Sequence, residues 1–86
     1  MRYYDIEECK KNDCERLDLS EQDLERLPES IGNLENLKYL NLYNNYLTKL
    51  PKSFENLKNL EKLDFQQNNL KQLPESIGKL KNLEKL

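Results

Sequence analysis

The 86-residue chain is long enough for one small domain, and its composition excludes several classes of protein. Charged residues make up 35% of the chain, but 14 basic and 16 acidic side chains leave a net charge of −2, which argues against a uniformly basic nucleic-acid-binding surface. No apolar run is long enough to cross a membrane, and the first residues lack the apolar segment of a secretory signal. A cytoplasmic protein without nucleic-acid or membrane partners is therefore expected.

Residues 1–13 are predicted to form an N-terminal cap that contains a short helix. Tyr3, Ile6 and Cys9 recur at three-residue intervals, so they lie on one face of such a helix. Cys14 takes a position that leucine holds elsewhere, which favours a buried thiol, although a local disulfide with Cys9 is an open alternative. With no histidine and only two cysteines the chain cannot build a tetrahedral zinc site, and neither a metal nor a cofactor is expected.

From residue 14 onward the chain repeats with a period of 23 residues. Leu-Pro pairs begin at residues 27, 50 and 73, and the apolar positions recur at the same step without insertion or deletion. The period gives three full units, residues 14–36, 37–59 and 60–82, and a partial unit at residues 83–86. One unit cannot bury its apolar face alone, so stacked units are expected to share one leucine core.

Each unit is predicted to contain a strand followed by a short convex segment. Leu40 and Leu42 flank Asn41, the alternation of a strand with one buried face, and an Asn-Asn pair then ends the strand. Apolar residues in the segment after Leu-Pro recur every three residues, as in an amphipathic helix. The proline before this segment and the asparagine pair after it leave too few residues for a long helix, which favours a 3-10 or irregular segment.

A set of leucines and one asparagine recurs at fixed spacing, as Leu37-x-x-Leu40-x-Leu42-x-x-Asn45-x-Leu47 and again as Leu60-x-x-Leu63-x-Phe65-x-x-Asn68-x-Leu70. The pattern resembles the leucine-rich repeat signature, and the full unit is similar to the 23-residue LPxxIxxL class of bacterial repeat proteins and Ras-binding scaffolds. The resemblance implies an α/β-type solenoid, a right-handed coil with a parallel β-sheet on the concave face and short 3-10 or irregular convex segments. A helical cap is expected at the N-terminal end, and no C-terminal cap is evident.

Three amide side chains are predicted to be structural. Asn45 and Asn68 follow the strands of their units, where the chain turns inside the coil and leaves backbone groups away from water. A buried asparagine has both donors and acceptors and so satisfies those groups. Gln22 takes the same position in the first unit and could act in the same way with a longer side chain.

The chain is predicted not to be an enzyme. Without histidine there is no imidazole base to activate a serine or cysteine nucleophile. The two glycines, Gly32 and Gly78, occupy equivalent positions of the repeat and cannot build a phosphate-binding loop.

The outward-facing strand positions are the predicted partner-binding site. If leucines face inward, their neighbours in each strand face outward and line up across the units. Exposed tyrosines combine apolar area with a hydroxyl group, a property common at protein interfaces. The predicted binding residues are Tyr39, Tyr43, Asn41, Asp18, Asp64, Lys62 and Gln66.

The sequence thus predicts a non-catalytic protein-binding module that acts through its concave polar face. Two alternatives stay open. The chain ends at Leu86 inside a strand motif, so an uncovered last layer could drive self-association through the C-terminal end, aided by opposite net charges on the two halves of the chain. The repeats could also be the targeting part of a longer multidomain protein.

Overall fold

The computed structural model describes residues 4–70 and residue 77. The elements follow one another as helix α1 (Tyr4–Lys11), strand β1 (Arg16–Asp18), 3-10 helix η1 (Glu29–Asn33), strand β2 (Tyr39–Asn41), 3-10 helix η2 (Lys52–Asn56) and strand β3 (Lys62–Asp64). No helix in this part of the chain is long and apolar enough to cross a membrane. The partial unit at residues 83–86, with its predicted open end, lies outside the described residues.

The three strands form one parallel sheet in the order β1-β2-β3, which confirms the predicted parallel pairing. Leu17 pairs with Leu40 and Leu40 pairs with Leu63, so each partner lies one period further along the chain. Pairing continues past the strand ends, since the Leu19 N–H donates to the Asn41 carbonyl at 2.8 Å and the Leu42 N–H donates to the Asp64 carbonyl at 2.7 Å. The sequence period is therefore the register of the sheet.

Short 3-10 helices follow the first two Leu-Pro pairs, Leu27-Pro28 and Leu50-Pro51, as the spacing predicts. Pro28 and Pro51 are the N-cap residues of η1 and η2, where their extended backbone starts the turn and their missing N–H leaves no donor unsatisfied. The Ile31 N–H donates to the Pro28 carbonyl at 3.1 Å, and the Phe54 N–H donates to the Pro51 carbonyl at 3.0 Å. These i to i+3 bonds close a tight turn that buries one apolar side chain per unit.

The two 3-10 helices lie against each other at close range. The Ser53 hydroxyl donates to the Glu29 carbonyl at 2.7 Å. Gly32 is buried, and a Cβ at this position would lie 2.6 Å from the Ser53 carbonyl oxygen. Only glycine therefore allows this approach between the first and second units.

Stacking of the units produces one core of buried leucine, isoleucine and phenylalanine side chains. Leu37 and Leu60, one period apart, are both fully buried, and so are Ile31 and Phe54. Burying a side chain of this size contributes roughly 1.5–3 kcal/mol, and a single unit cannot supply the neighbours that achieve it. The core thus depends on contacts between units.

Helix α1 packs on the first unit and contributes Ile6 and Cys9 to the same core. The helix ends in a Schellman motif, in which the Cys14 N–H donates to the Cys9 carbonyl at 2.9 Å and the Asp13 N–H donates to the Lys10 carbonyl at 3.3 Å. Asp13 takes a left-handed conformation with φ of 50°, which reverses the chain.

This reversal corrects the expectation of a free, buried Cys14 thiol. Cys9 and Cys14 form a disulfide, with Cα atoms 4.8 Å apart, and Cys14 is half-buried. The two residues are the pair that usually makes an apolar contact across a Schellman motif, and here a covalent bond takes its place. The local disulfide that the sequence left open is the one observed.

Candidate functional site

The strands present one side to the core and the other to solvent. Leu40 and Leu63 are buried at the strand centres, whereas the residues on either side of them point outward. Pairing in register aligns these outward residues across the sheet. The sheet face is defined here as their combined surface, Arg16, Asp18, Tyr39, Asn41, Lys62 and Asp64.

One row of the sheet face is cationic. Arg16, Tyr39 and Lys62 are register partners on the three strands and are called the cation row below. The Arg16 guanidinium carbon lies 4.6 Å from the centroid of the Tyr39 ring, and Lys62 Nζ lies 5.2 Å from it. Cation–π attraction at these distances, of about 0.5–1 kcal/mol for an exposed pair, holds both cations beside one ring.

The neighbouring row is acidic. Asp18, Asn41 and Asp64 are also register partners and are called the acid row below. Each accepts, at its Oδ1 atom, a backbone N–H two residues further on, at 2.9 Å from Ser20, 2.9 Å from Tyr43 and 3.0 Å from Gln66. These Asx turns fix the three side chains at the end of their strands.

These turns were not predicted from the sequence. Their signal was present, because one column of the repeat holds only Asp and Asn, the residues that make Asx turns. A second regularity was not predicted either: Glu21, Asn44 and Gln67, again one period apart, adopt left-handed φ angles of 56°, 58° and 60°. Asparagine is enriched in this conformation, so Asn44 is an indication of it. Glutamate and glutamine are not enriched there, so Glu21 and Gln67 give no such indication.

Asn45, which follows strand β2, hydrogen-bonds backbone groups of the first and second units. It is 4% exposed, and its Oδ1 accepts the N–H groups of Gln22 and Leu24, both at 3.0 Å. Its Nδ2 donates to the carbonyls of Leu19 at 2.9 Å and Leu42 at 3.0 Å. Nδ2 also donates to the Tyr43 carbonyl at 3.4 Å, so five backbone groups from two units depend on one side chain.

Asn68 repeats this arrangement one unit later. Its Oδ1 accepts the Leu47 N–H at 3.0 Å, and its Nδ2 donates to the Leu42 carbonyl at 2.8 Å and the Phe65 carbonyl at 3.0 Å. Gln22 differs, because its Oε1 atom is buried without a hydrogen-bond partner among the described residues. Its amide oxygen therefore accepts no backbone N–H group from the described residues, unlike Oδ1 of Asn45 and of Asn68.

Six of the seven predicted binding residues line one open groove of about 520 Å³ on the sheet face. They are Asp18, Tyr39, Asn41, Lys62, Asp64 and Gln66. Arg16 lines the groove as well, although it was not among the predicted residues. Tyr43 is 36% exposed but does not line this groove. Tyr46, which the sequence analysis did not single out, is the more exposed tyrosine at 55% and also lies outside it.

Comparison with known proteins gives one family. Residues 4–86 match the model of the leucine-rich repeat region. A solved structure of a leucine-rich repeat protein of Leptospira interrogans superposes with a TM-score of 0.76 at 36% identity, over 84% of this chain and 24% of the other. This chain thus spans about a quarter of that protein's length. No curated protein matches the chain.

Proposed function

Because this chain belongs to the leucine-rich repeat family, we propose that it is a non-catalytic module that binds a partner protein through the sheet face. The family suggests protein binding in general, and the open groove of about 520 Å³ supports this face as the place. The same proposal puts the sheet on the concave side of a right-handed coil that α1 caps at its N-terminal end.

Rigidity of the sheet face favours such a role. The side chains of the acid row are fixed by hydrogen bonds to the backbone, and Tyr39 is held between two cations. Side chains that are already ordered lose less conformational entropy when a partner docks. Tyr39 also supplies the amphipathic contact area that is enriched among interface hot spots.

The disulfide bears on the compartment, which stays a prediction. Disulfides persist in oxidising compartments and are rare in the cytosol, where thiols are kept reduced. The Cys9–Cys14 bond therefore favours an oxidising compartment over the cytoplasm that the sequence predicted.

The two alternatives for the function stay predictions. Self-association through the C-terminal end involves residues 83–86, which lie outside the described part of the chain, and light scattering would separate a monomer from larger species. A targeting role within a longer protein accords with the short span of this chain relative to the Leptospira protein.

Capture of the native partner tests the proposed function. We expect Tyr39→Ala combined with Tyr43→Ala to weaken capture at least about tenfold, because truncation of a tyrosine that acts as an interface hot spot costs about 2 kcal/mol or more. Far-UV circular dichroism and the melting temperature should stay nearly unchanged, because both tyrosines are on the surface. Tyr46→Ala is the matched control and should bind like the wild type. Full capture by the double variant would move the binding site away from the sheet face.

A further inference from the structure

We propose that the sheet face binds an extended segment of a partner protein that carries one acidic and one basic side chain two positions apart. The inference rests on the proposed function and adds the chemistry of the segment. It is carried by the cation row and the acid row, which lie side by side with opposite charges.

The two rows do not neutralise each other. Arg16 and Asp18 lie on one strand and Lys62 and Asp64 on another, yet no ion pair joins the two rows within residues 4–70. Arg16, Asp18 and Lys62 are exposed, and Asp64 is half-buried. The charges are therefore available to a partner that supplies the complementary pair.

Each row is also held in place before a partner arrives. The Tyr39 ring fixes the two cations beside it, at 4.6 and 5.2 Å. Backbone N–H groups, and for Asp18 the Ser20 hydroxyl at 2.6 Å, hold one oxygen of each carboxylate. The second carboxylate oxygen of Asp18 and of Asp64 has no hydrogen-bond partner among the described residues. It remains as an acceptor for a basic side chain.

The spacing of the rows defines the spacing of the ligand. Tyr39 and Asn41 are two residues apart on β2, so the rows are separated by about 6.6 Å along the strands. An extended peptide places every second side chain on the same face with the same repeat. For a segment that lies along β2, an acidic residue over Tyr39 and a basic residue two positions away over Asn41 would thus meet both rows.

Other occupants would meet only half of the face. A phosphate or another simple anion would use the cation row and be repelled by the acid row. A basic peptide would be attracted by the acid row and repelled by the cation row. The paired rows favour a ligand that carries both signs, since like charges brought together oppose binding.

Synthetic peptides titrated into the isotope-labelled 86-residue chain and followed by NMR test this inference. The probes are nine-residue peptides with blocked termini and a Ser-Thr background, which contain Glu-x-Lys, adjacent Glu-Lys, Glu-x-Glu or Lys-x-Lys at the centre. We expect Glu-x-Lys to bind at least about tenfold more tightly than the other three, with shifts centred on Tyr39 and Asn41. Adjacent Glu-Lys has the same composition but puts its charges on opposite faces of an extended chain.

Two variants test the rows separately. Arg16→Glu combined with Lys62→Glu should abolish the preference for Glu-x-Lys and create one for Lys-x-Lys, a gain that misfolding cannot produce. Lys49→Glu combined with Lys52→Glu makes the same charge change on exposed residues outside the groove and should leave the preference intact. Asp18→Asn combined with Asp64→Asn keeps the Oδ1 acceptor of each turn, as Asn41 does. This variant should lose the preference for lysine in the peptide and keep the preference for glutamate.

Equal affinity of the wild-type protein for all four peptides would overturn the inference, and so would binding of Glu-x-Glu as tight as that of Glu-x-Lys, which indicates a simple anion site. The proposed function would survive either result if capture of the native partner still depended on Tyr39 and Tyr43. Loss of that dependence would instead refute the sheet face as the binding site.

Discussion

A single buried amide, that of Asn45, joins the backbone of two consecutive units. It serves two N–H groups of the turn in the first unit, one carbonyl of that unit and two carbonyls of the second unit. Buried backbone groups without a partner are costly, so the turn after β1 and the end of β2 are stabilised through this residue.

We expect Asn45→Ala to lower the free energy of unfolding by about 1–3 kcal/mol, because the backbone groups around it lose their partner. Denaturant unfolding followed by circular dichroism measures this change. Asn36→Ala, at an exposed position, is the control and should change the free energy by less than about 0.5 kcal/mol. An Asn45→Ala protein as stable as this control would contradict a structural role for the amide.

At the scale of elements, helix α1 is attached to the first unit in two ways. Ile6 lies in the core, and the disulfide closes the Schellman motif between the helix end and the chain leading into β1. The cross-link spans a sequence separation of 5, a small ring that constrains the unfolded chain only modestly. Its effect is therefore local, because it stabilises the short segment that connects the end of α1 to β1.

Reduction of the disulfide should lower the free energy of unfolding by about 2 kcal/mol, the entropy that a loop of this length returns to the unfolded chain. Unfolding curves with and without a reducing agent give the difference. Cys9→Ser combined with Cys14→Ser is the control, since its stability should not respond to the reducing agent. Free thiols detected by labelling of the untreated protein would contradict the disulfide itself.

For the whole molecule, the 23-residue period predicted most of the fold. The sheet register, the inward-facing leucines and the 3-10 helices after the first two Leu-Pro pairs follow from it. In a stack of units, residues at the same position of the repeat lie in the same environment. The disulfide could not be read in this way. It depends on the left-handed Asp13 in the N-terminal cap, whereas Asn36 and Asn59, one and two periods further on, do not adopt that conformation.

The candidate site was predicted in outline and missed in detail. Alternation in the strands put Tyr39, Asn41 and Lys62 on one surface. The contact of Arg16 with the Tyr39 ring depends on side-chain rotamers that a repeat pattern does not specify. Tyr43 was grouped with Tyr39 but does not line the groove, although Gln66, its counterpart one period further on, does.

The most direct test of the account is a cross-saturation NMR experiment on the labelled protein bound to its native partner, which maps the atoms nearest to that partner. We predict that the strongest signal loss falls on the sheet face, centred on Tyr39 and its neighbours on β1 and β3. Loss centred on η1 and η2, with the sheet face unaffected, would contradict the central claim that stacked units build their binding site on the strands.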